Sequence, residues 1–415
     1  MNSNNHVKMN TFDMVWILYF TVMLNFYTYT FVQLGAQLLV LFITFMQIFQ
    51  KKGGKIARRD ANHVKEFCLW FGLFSMWGYL SLRWCVYGAS TETNTLLTMF
   101  RIFVMGMCIV YDISSRDDLE HFIYLFVISG VIFALLTLVS NSPSNWGKES
   151  FKTFDKGYMR NGVANFSMFF LAFVVLFEKL FTKRQTKCFC ILFLGLILLC
   201  GSRRTILLLL LFVLFYVFTM NGARKKIKTF TGLAIVGIIL LLIASNIPYI
   251  QNTYISRIAA MFSGTQSSDG STVGRTAYII IGWGMFLKRP WFGWGVDAFY
   301  NHILRNPYAF RSDYHLQALY SHNNYIEVLT SFGLVGAVIY YKEHLQALII
   351  SIKNKQNDLA RFVLILTMIN LIGDYGGIVF SSHVPMYFLI FIFSASKIVK
   401  DERKNNAKED SCINS

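Results

Sequence analysis

Apolar residues run through this chain in long unbroken blocks rather than alternating with polar ones. Residues 14–50 and 229–256 contain no Asp, Glu, Lys or Arg. Such blocks exceed the roughly 20 residues that carry a helix across a bilayer. An outer-membrane barrel is excluded, because its strands alternate. The pattern predicts helices at 14–28, 31–49, 67–87, 94–111, 120–140, 162–180, 188–201, 204–220, 230–247, 322–341, 358–373 and 378–396. In the first block, Asn25 and residues 27–30 must supply a turn between two helices.

The expected fold class is therefore an all-α polytopic integral membrane protein with about 12 transmembrane helices and a large ordered extracytoplasmic loop. Residues 1–247 hold nine helices, 248–321 the loop with short helices, 322–396 three more helices, and 397–415 a cytoplasmic tail. Residues 1–13 are polar, and the apolar stretch that follows is too long for the core of a cleavable signal peptide.

Composition supports this. The 415 residues are 55% hydrophobic, 17% aromatic and only 15% charged, against about 25% charged in soluble domains. A soluble enzyme, a secreted disulfide scaffold and a disordered chain are excluded. The seven cysteines lie mostly in or beside apolar runs, without zinc-site spacing, and read as small buried hydrophobes.

The net charge of +17 points to topology before it points to a ligand. With a cytoplasmic N-terminus, basic residues fall on the inner connections: Lys51, Lys52, Arg58, Arg59, Lys183, Arg184, Lys187, Arg224 to Lys228, Lys353 and the tail. The short outer connections at 88–93 and 374–377 carry no Lys or Arg. This is the positive-inside distribution, with both termini cytoplasmic. The basic loops read as solvated faces beside anionic lipid, so no nucleic-acid partner is expected.

Candidate chemistry lies on the outer side. Two outer segments, near 141–161 and 248–321, hold Pro143, Pro248, Pro290 and Pro307. In the longer one, 276–287 reads as a short helix at or in the outer interface, and its aromatic content predicts order. Arg203 and Arg204 break the charge pattern. They sit in Gly201-Ser202-Arg203-Arg204-Thr205, too short to be more than a hairpin tip. Two cations there either snorkel to lipid phosphates or hold an anion. Arg275 follows Gly-Ser-Thr-Val-Gly, which resembles a helix N-terminus suited to phosphate; a surface salt bridge is the other reading. Arg160 opens another outer helix end, as an interface anchor or a substrate contact.

Ser321-His322-Asn323-Asn324 opens an apolar helix. Ser321 is the expected cap. This puts His322 in the first turn, where the helix dipole disfavours imidazolium and leaves a neutral proton acceptor. Glu327, a turn or so deeper, could orient a neighbour or pair with an arginine. His302, His315 and His383 also fall outside or near the outer face, so His322 is not unique; His6, His63, His121 and His344 are cytoplasmic. Trp291, Trp294 and Tyr320 could stack on sugars, with loop packing the commoner role.

These residues form a pattern. His322-Asn323, nine residues, then Gly333-x-x-Gly336 resembles the signature helix of the O-antigen ligase and O-antigen polymerase superfamily. Arg160-x-Gly162 with Asn165, the Ser202-Arg203 hairpin, and Gly274-Arg275 followed by Pro290-x-x-Gly293-x-Gly295 and Phe299 resemble that superfamily's other segments, in order. The resemblance covers roughly residues 160–341; the early helices match only in hydropathy.

It implies a cofactor-free, metal-independent, inverting glycosyltransferase of the bacterial inner membrane. The donor would be an undecaprenyl-pyrophosphate-linked oligosaccharide at the outer leaflet, with the bilayer, and a chain-length regulator and flippase of the same pathway, as partners. His322 would be the general base. Arg203 or Arg204, with Arg275, would hold the pyrophosphate. Arg160, Asn323, Glu327 and Tyr320 are expected substrate contacts. No Asp-rich metal motif occurs in the outer segments. The product would be a polymerised surface polysaccharide (O-antigen, capsule or exopolysaccharide). The alternatives are a ligase joining the glycan to lipid A-core or another acceptor, and a transporter or flippase of the lipid-linked sugar. A transporter would place charges and broken helices near the midplane.

Overall fold

The computed structural model describes residues 9–52, 58–87, 94–148, 150–220, 222, 224, 228, 231, 270–305 and 320–413. Among them the secondary structure is helical, apart from one isolated bridge between Lys152 and Met159. Apart from Thr231, the helix expected at 230–247 lies outside the described residues, as do the loop stretches 248–269 and 306–319, with His315.

The helices are α1 Thr11–Asn25, α2 Thr30–Lys52, α3 Arg58–Phe67, α4 Leu73–Leu80, α5 Thr95–Asp112, α6 Arg116–Ser140, α7 Arg160–Leu176, α8 Lys183–Cys200, α9 Arg203–Thr219, α10 Gly270–Lys288, α11 Ala298–Arg305, α12 Asn324–Lys353, α13 Asp358–Gly373 and α14 His383–Ile413. A π turn, Cys68–Gly72, joins α3 to α4. Among the described residues, five stretches are long and apolar enough to cross a membrane: Thr30–Phe49, Thr95–Asp112, Arg116–Ser140, Asp358–Gly376 and His383–Ala407. Thr11–Asn25 and Arg160–Leu176 are shorter apolar helices.

The chain divides into two compact units, Met1–Gly130 with Gly270–Ser415, and Val131–Asp269. In the first unit, the expected turn between α1 and α2 is held by Gln33, whose amide donates to the carbonyls of Phe26 (3.0 Å) and Tyr27 (3.1 Å). α14 runs past the expected end of its apolar span, because its tail retains good helix formers and gains ion pairs. Lys397, 1% exposed, binds Glu343 at 2.6 Å and Glu66 at 2.7 Å, and Lys400 binds Glu66 at 3.0 Å.

The largest departure from the expected plan is α12. The single span expected at 322–341 is instead a helix folded back on itself. Gly333 has φ 66° and ψ −167°, outside helical geometry. Asn324 Nδ2 lies 3.0 Å from the Tyr341 hydroxyl, and the Tyr325 and Tyr341 rings stack at 5.0 Å. In a straight helix, residues 17 apart would be about 25 Å apart. Arm 324–332 therefore lies beside the start of arm 334–353.

Residues 290–295 stitch the break. The carbonyls that end the first arm accept from Trp294 N (to Thr330 O, 2.8 Å) and Gly295 N (to Ser331 O, 2.9 Å). Trp77 Nε1 donates to Phe332 O at 3.1 Å. The N–H groups that start the second arm donate to Pro290 O (Leu334 N, 2.8 Å) and Trp291 O (Val335 N, 3.2 Å). Backbone groups orphaned by two helix ends are thus satisfied. A Cβ on Gly333 would meet Trp291 O at 2.3 Å, and one on Gly293 (φ 69°) would meet Ser331 O at 2.6 Å. The Pro-x-x-Gly-x-Gly and Gly-x-x-Gly patterns are two halves of one backbone joint.

Candidate functional site

His322 precedes the first arm of this folded helix, at the end away from the Gly333 break. Its backbone is left-handed, φ 54°, a conformation uncommon in non-glycine residues and one that clusters at functional sites. Two neighbours hold it there. Asn323 is the true helix cap, its side chain accepting from Ile326 N at 3.1 Å. Ser321 does not cap. Its hydroxyl donates to Asn323 O at 2.8 Å, and its N–H donates to Glu327 Oε2 at 2.8 Å. The expected placement of His322 in the first turn is corrected accordingly: the imidazole precedes the cap. With Asn323 extended, φ −147°, the helix starts at Asn324, two residues later than a Ser321 cap would give.

The His322 ring is half-buried, 4.3 Å from the Tyr320 ring and 6.1 Å from the Tyr278 ring. Tyr278 lies on α10, three residues after Arg275 and so on the same helix face. α10 is longer than the short helix expected at 276–287. The Gly-Ser-Thr-Val-Gly stretch lies inside it, so Arg275 sits more than one turn from the helix start. It is half-buried, on the face that turns Tyr278 toward His322.

Beneath His322, Asn324 anchors the arm. It is fully buried and donates to Asp374 Oδ2 at 3.0 Å, while its Oδ1 accepts from Val379 N at 2.9 Å. Tyr341 also donates to Asp374 Oδ2, at 2.9 Å. Asp374 is 0% exposed; sequence reasoning missed it. A lone carboxylate closing an apolar span was the available signal. Asp297 was missed too; it is left-handed (φ 56°) and accepts from Thr95 Oγ1 at 2.6 Å.

The other histidines differ. His302 Nδ1 lies 2.7 Å from the Tyr87 hydroxyl, and burial, with the charge of Lys288, pushes its pKa below the usual value. His383 is buried at the start of α14. Trp294 donates to Met285 O at 2.8 Å and carries Arg289 over its ring at 4.3 Å, so its faces serve the loop. Trp291 is 63% exposed.

The second unit holds the other arginines. α8 ends at Gly201 (φ 63°) and α9 begins at Arg203, the hairpin tip expected from the sequence. Arg203 and Arg204 open α9, both half-buried. Arg160, the first residue of α7, donates to Gly147 O, and Gly147 N donates to Leu199 O at 2.8 Å. Arg160 thus belongs to the same corner of this unit as the Arg203 tip. Among the described residues, no group of three or more His, Cys, Asp or Glu is placed to hold a metal.

These features define a helical membrane protein with an imidazole fixed in a left-handed turn and two sets of guanidiniums. Residues 188–341 match the family model described as O-antigen ligase. The match covers more than a third of the chain and takes in the Arg203–Arg204 tip, Arg275, His322 and the Gly333 joint. Over that stretch the likeness to the O-antigen ligase and polymerase superfamily holds. No curated protein matches the chain.

Proposed function

We propose that the chain transfers a glycan from undecaprenyl pyrophosphate to an acceptor hydroxyl at the extracytoplasmic face of the bacterial inner membrane. The carrying observation is the left-handed, half-buried His322, beside the rings of Tyr320 and Tyr278 and within the family match. The acceptor oxygen attacks the anomeric carbon as His322 takes its proton. The bond from that carbon to the pyrophosphate oxygen breaks, and the leaving group carries off the electron pair. Arg275, with Arg203 or Arg204, stabilises the charge that develops there. Attack opposite the leaving group inverts the anomeric carbon, and guanidiniums take the part a metal would otherwise play. Twelve spans with both termini cytoplasmic complete this reading.

The favoured product is a polymer of lipid-linked repeat units. Ligation to lipid A-core is the second reading, favoured by the description of the matching family. The α12 break does not by itself favour transport. Its carbonyls are already engaged by Trp77, Trp294 and Gly295, leaving them unsuited to coordinate a transported ion.

The test is transfer by purified protein with lipid-linked repeat units in EDTA. Wild type extends chains and His322→Ala does not; loss of wild-type activity on chelation would refute the metal-free step. Products distinguish the readings in cells: a ligase-null strain accumulates long lipid-linked chains, a polymerase-null strain single units.

A further inference from the structure

Arg101 lies inside α5, in a mainly apolar span whose other charged residue, Asp112, is its last. It is six residues beyond Thr95, about 9 Å along the helix axis. Its Nε donates to Gln37 Oε1 at 2.9 Å and its Nη2 to Gln33 Oε1 at 2.7 Å, both on α2. Neither partner is charged. Among the described residues, the titratable groups within its electrostatic reach are Tyr19, Tyr387 and His383, which carry no negative charge at neutral pH. The guanidinium keeps donors beyond these two bonds.

A second observation points the same way. Gln37 is 4% exposed, and its Nε2 is buried without a hydrogen-bond partner. The amide orientation is fixed, because its oxygen already accepts from Arg101. A buried orphan N–H beside a cation without a carboxylate is costly, and one acceptor satisfies both: an anion. The sequence neighbours of Gln37 and Arg101 on the same two helices, Leu34 and Leu38 on α2 and Leu97 and Phe100 on α5, are exposed and apolar. An occupant with acyl or prenyl tails fits that rim; a free aqueous ion does not.

We infer that Arg101, with Gln33 and Gln37, forms an intramembrane site for the phosphate headgroup of a lipid, in the leaflet next to Thr95. On the charge pattern this is the extracytoplasmic leaflet. The site stands apart from the role given to His322.

The experiment uses the full chain in phosphatidylcholine nanodiscs. Short-chain phosphatidic acid is titrated in, with inorganic phosphate in a parallel arm, and bound molecules are counted by native mass spectrometry. Wild type retains phosphatidic acid about tenfold more tightly than Arg101→Gln, and inorganic phosphate does not compete at equal concentration. Gln37→Glu gives Arg101 an internal counter-ion. It keeps or raises the melting temperature while losing the lipid, so a folding failure in Arg101→Gln leaves the inference testable. Equal retention by wild type and Gln37→Glu, or effective competition by inorganic phosphate, overturns it.

Discussion

Two polar clusters in the first unit are built on opposite principles. Around Lys397, regular helices bring a buried ammonium against two carboxylates, Glu343 and Glu66. Around His322, the backbone itself is irregular, and hydrogen bonds to Asp374 and Glu327, together with rings, do the holding. The first arrangement satisfies charge with charge and leaves nothing over for a ligand. The second spends backbone regularity to present one titratable ring. The contrast separates a cluster that fastens helices from the one to which we assign the proposed chemistry.

The sharpest way to test that contrast is at the ring itself. His322→Ala should lower glycan transfer by about 10²–10⁴-fold, the usual worth of a general base, with the unfolding midpoint unchanged. A comparable loss of stability would make His322 another fastening residue. Gly333→Ala should come next. A Cβ against Trp291 O and a left-handed φ cannot both be accommodated, so thermal unfolding in detergent should fall by about 3 kcal/mol or more.

Lys397→Met should also cost about 3 kcal/mol, since it leaves the buried Glu343 carboxylate without its cation. Transfer per folded molecule should nonetheless match wild type; a fall in turnover would erase the distinction drawn here. Asp374→Asn should keep the fold and slow transfer by about tenfold, through a looser Asn324 and a less fixed His322. The smallest effect is acid sensitivity. Burial would raise the Glu66 pKa, but the bonds from Lys397 and Lys400 overcome this and hold it at about 2. Its stabilising share is complete above the ordinary glutamate pKa of about 4.3 and fades as pH falls from there toward 2. Glu66 is 35% exposed, so solvent screening keeps the effect modest. Urea midpoints at pH 5 and 3, wild type against Glu66→Gln, read it.

The helices were largely legible because a span must be apolar throughout. The turn between α1 and α2, the limits of α13 and the Arg203 tip all follow from local composition. The α12 joint was not. The glycines at 333 and 336 were visible as a pattern, but their break depends on a backbone segment some 40 residues earlier in the chain. Local propensity carries no information about that partner. The capping error at Ser321 is similar: both Ser321 and Asn323 are good caps, and Glu327 decides between them by taking the Ser321 N–H. Asp374 was overlooked because a lone acid in a short connection resembles a solvated end until Asn324 and Tyr341 are seen against it.

The stitch between 290–295 and the α12 arms leaves its mark on how this protein can diversify. Trp291 gives the joint only its carbonyl, while its indole points outward. Main-chain bonds are indifferent to the side chain they pass beneath. That position is free to drift among descendants, trading one surface for another beside a hinge that need not be reinvented.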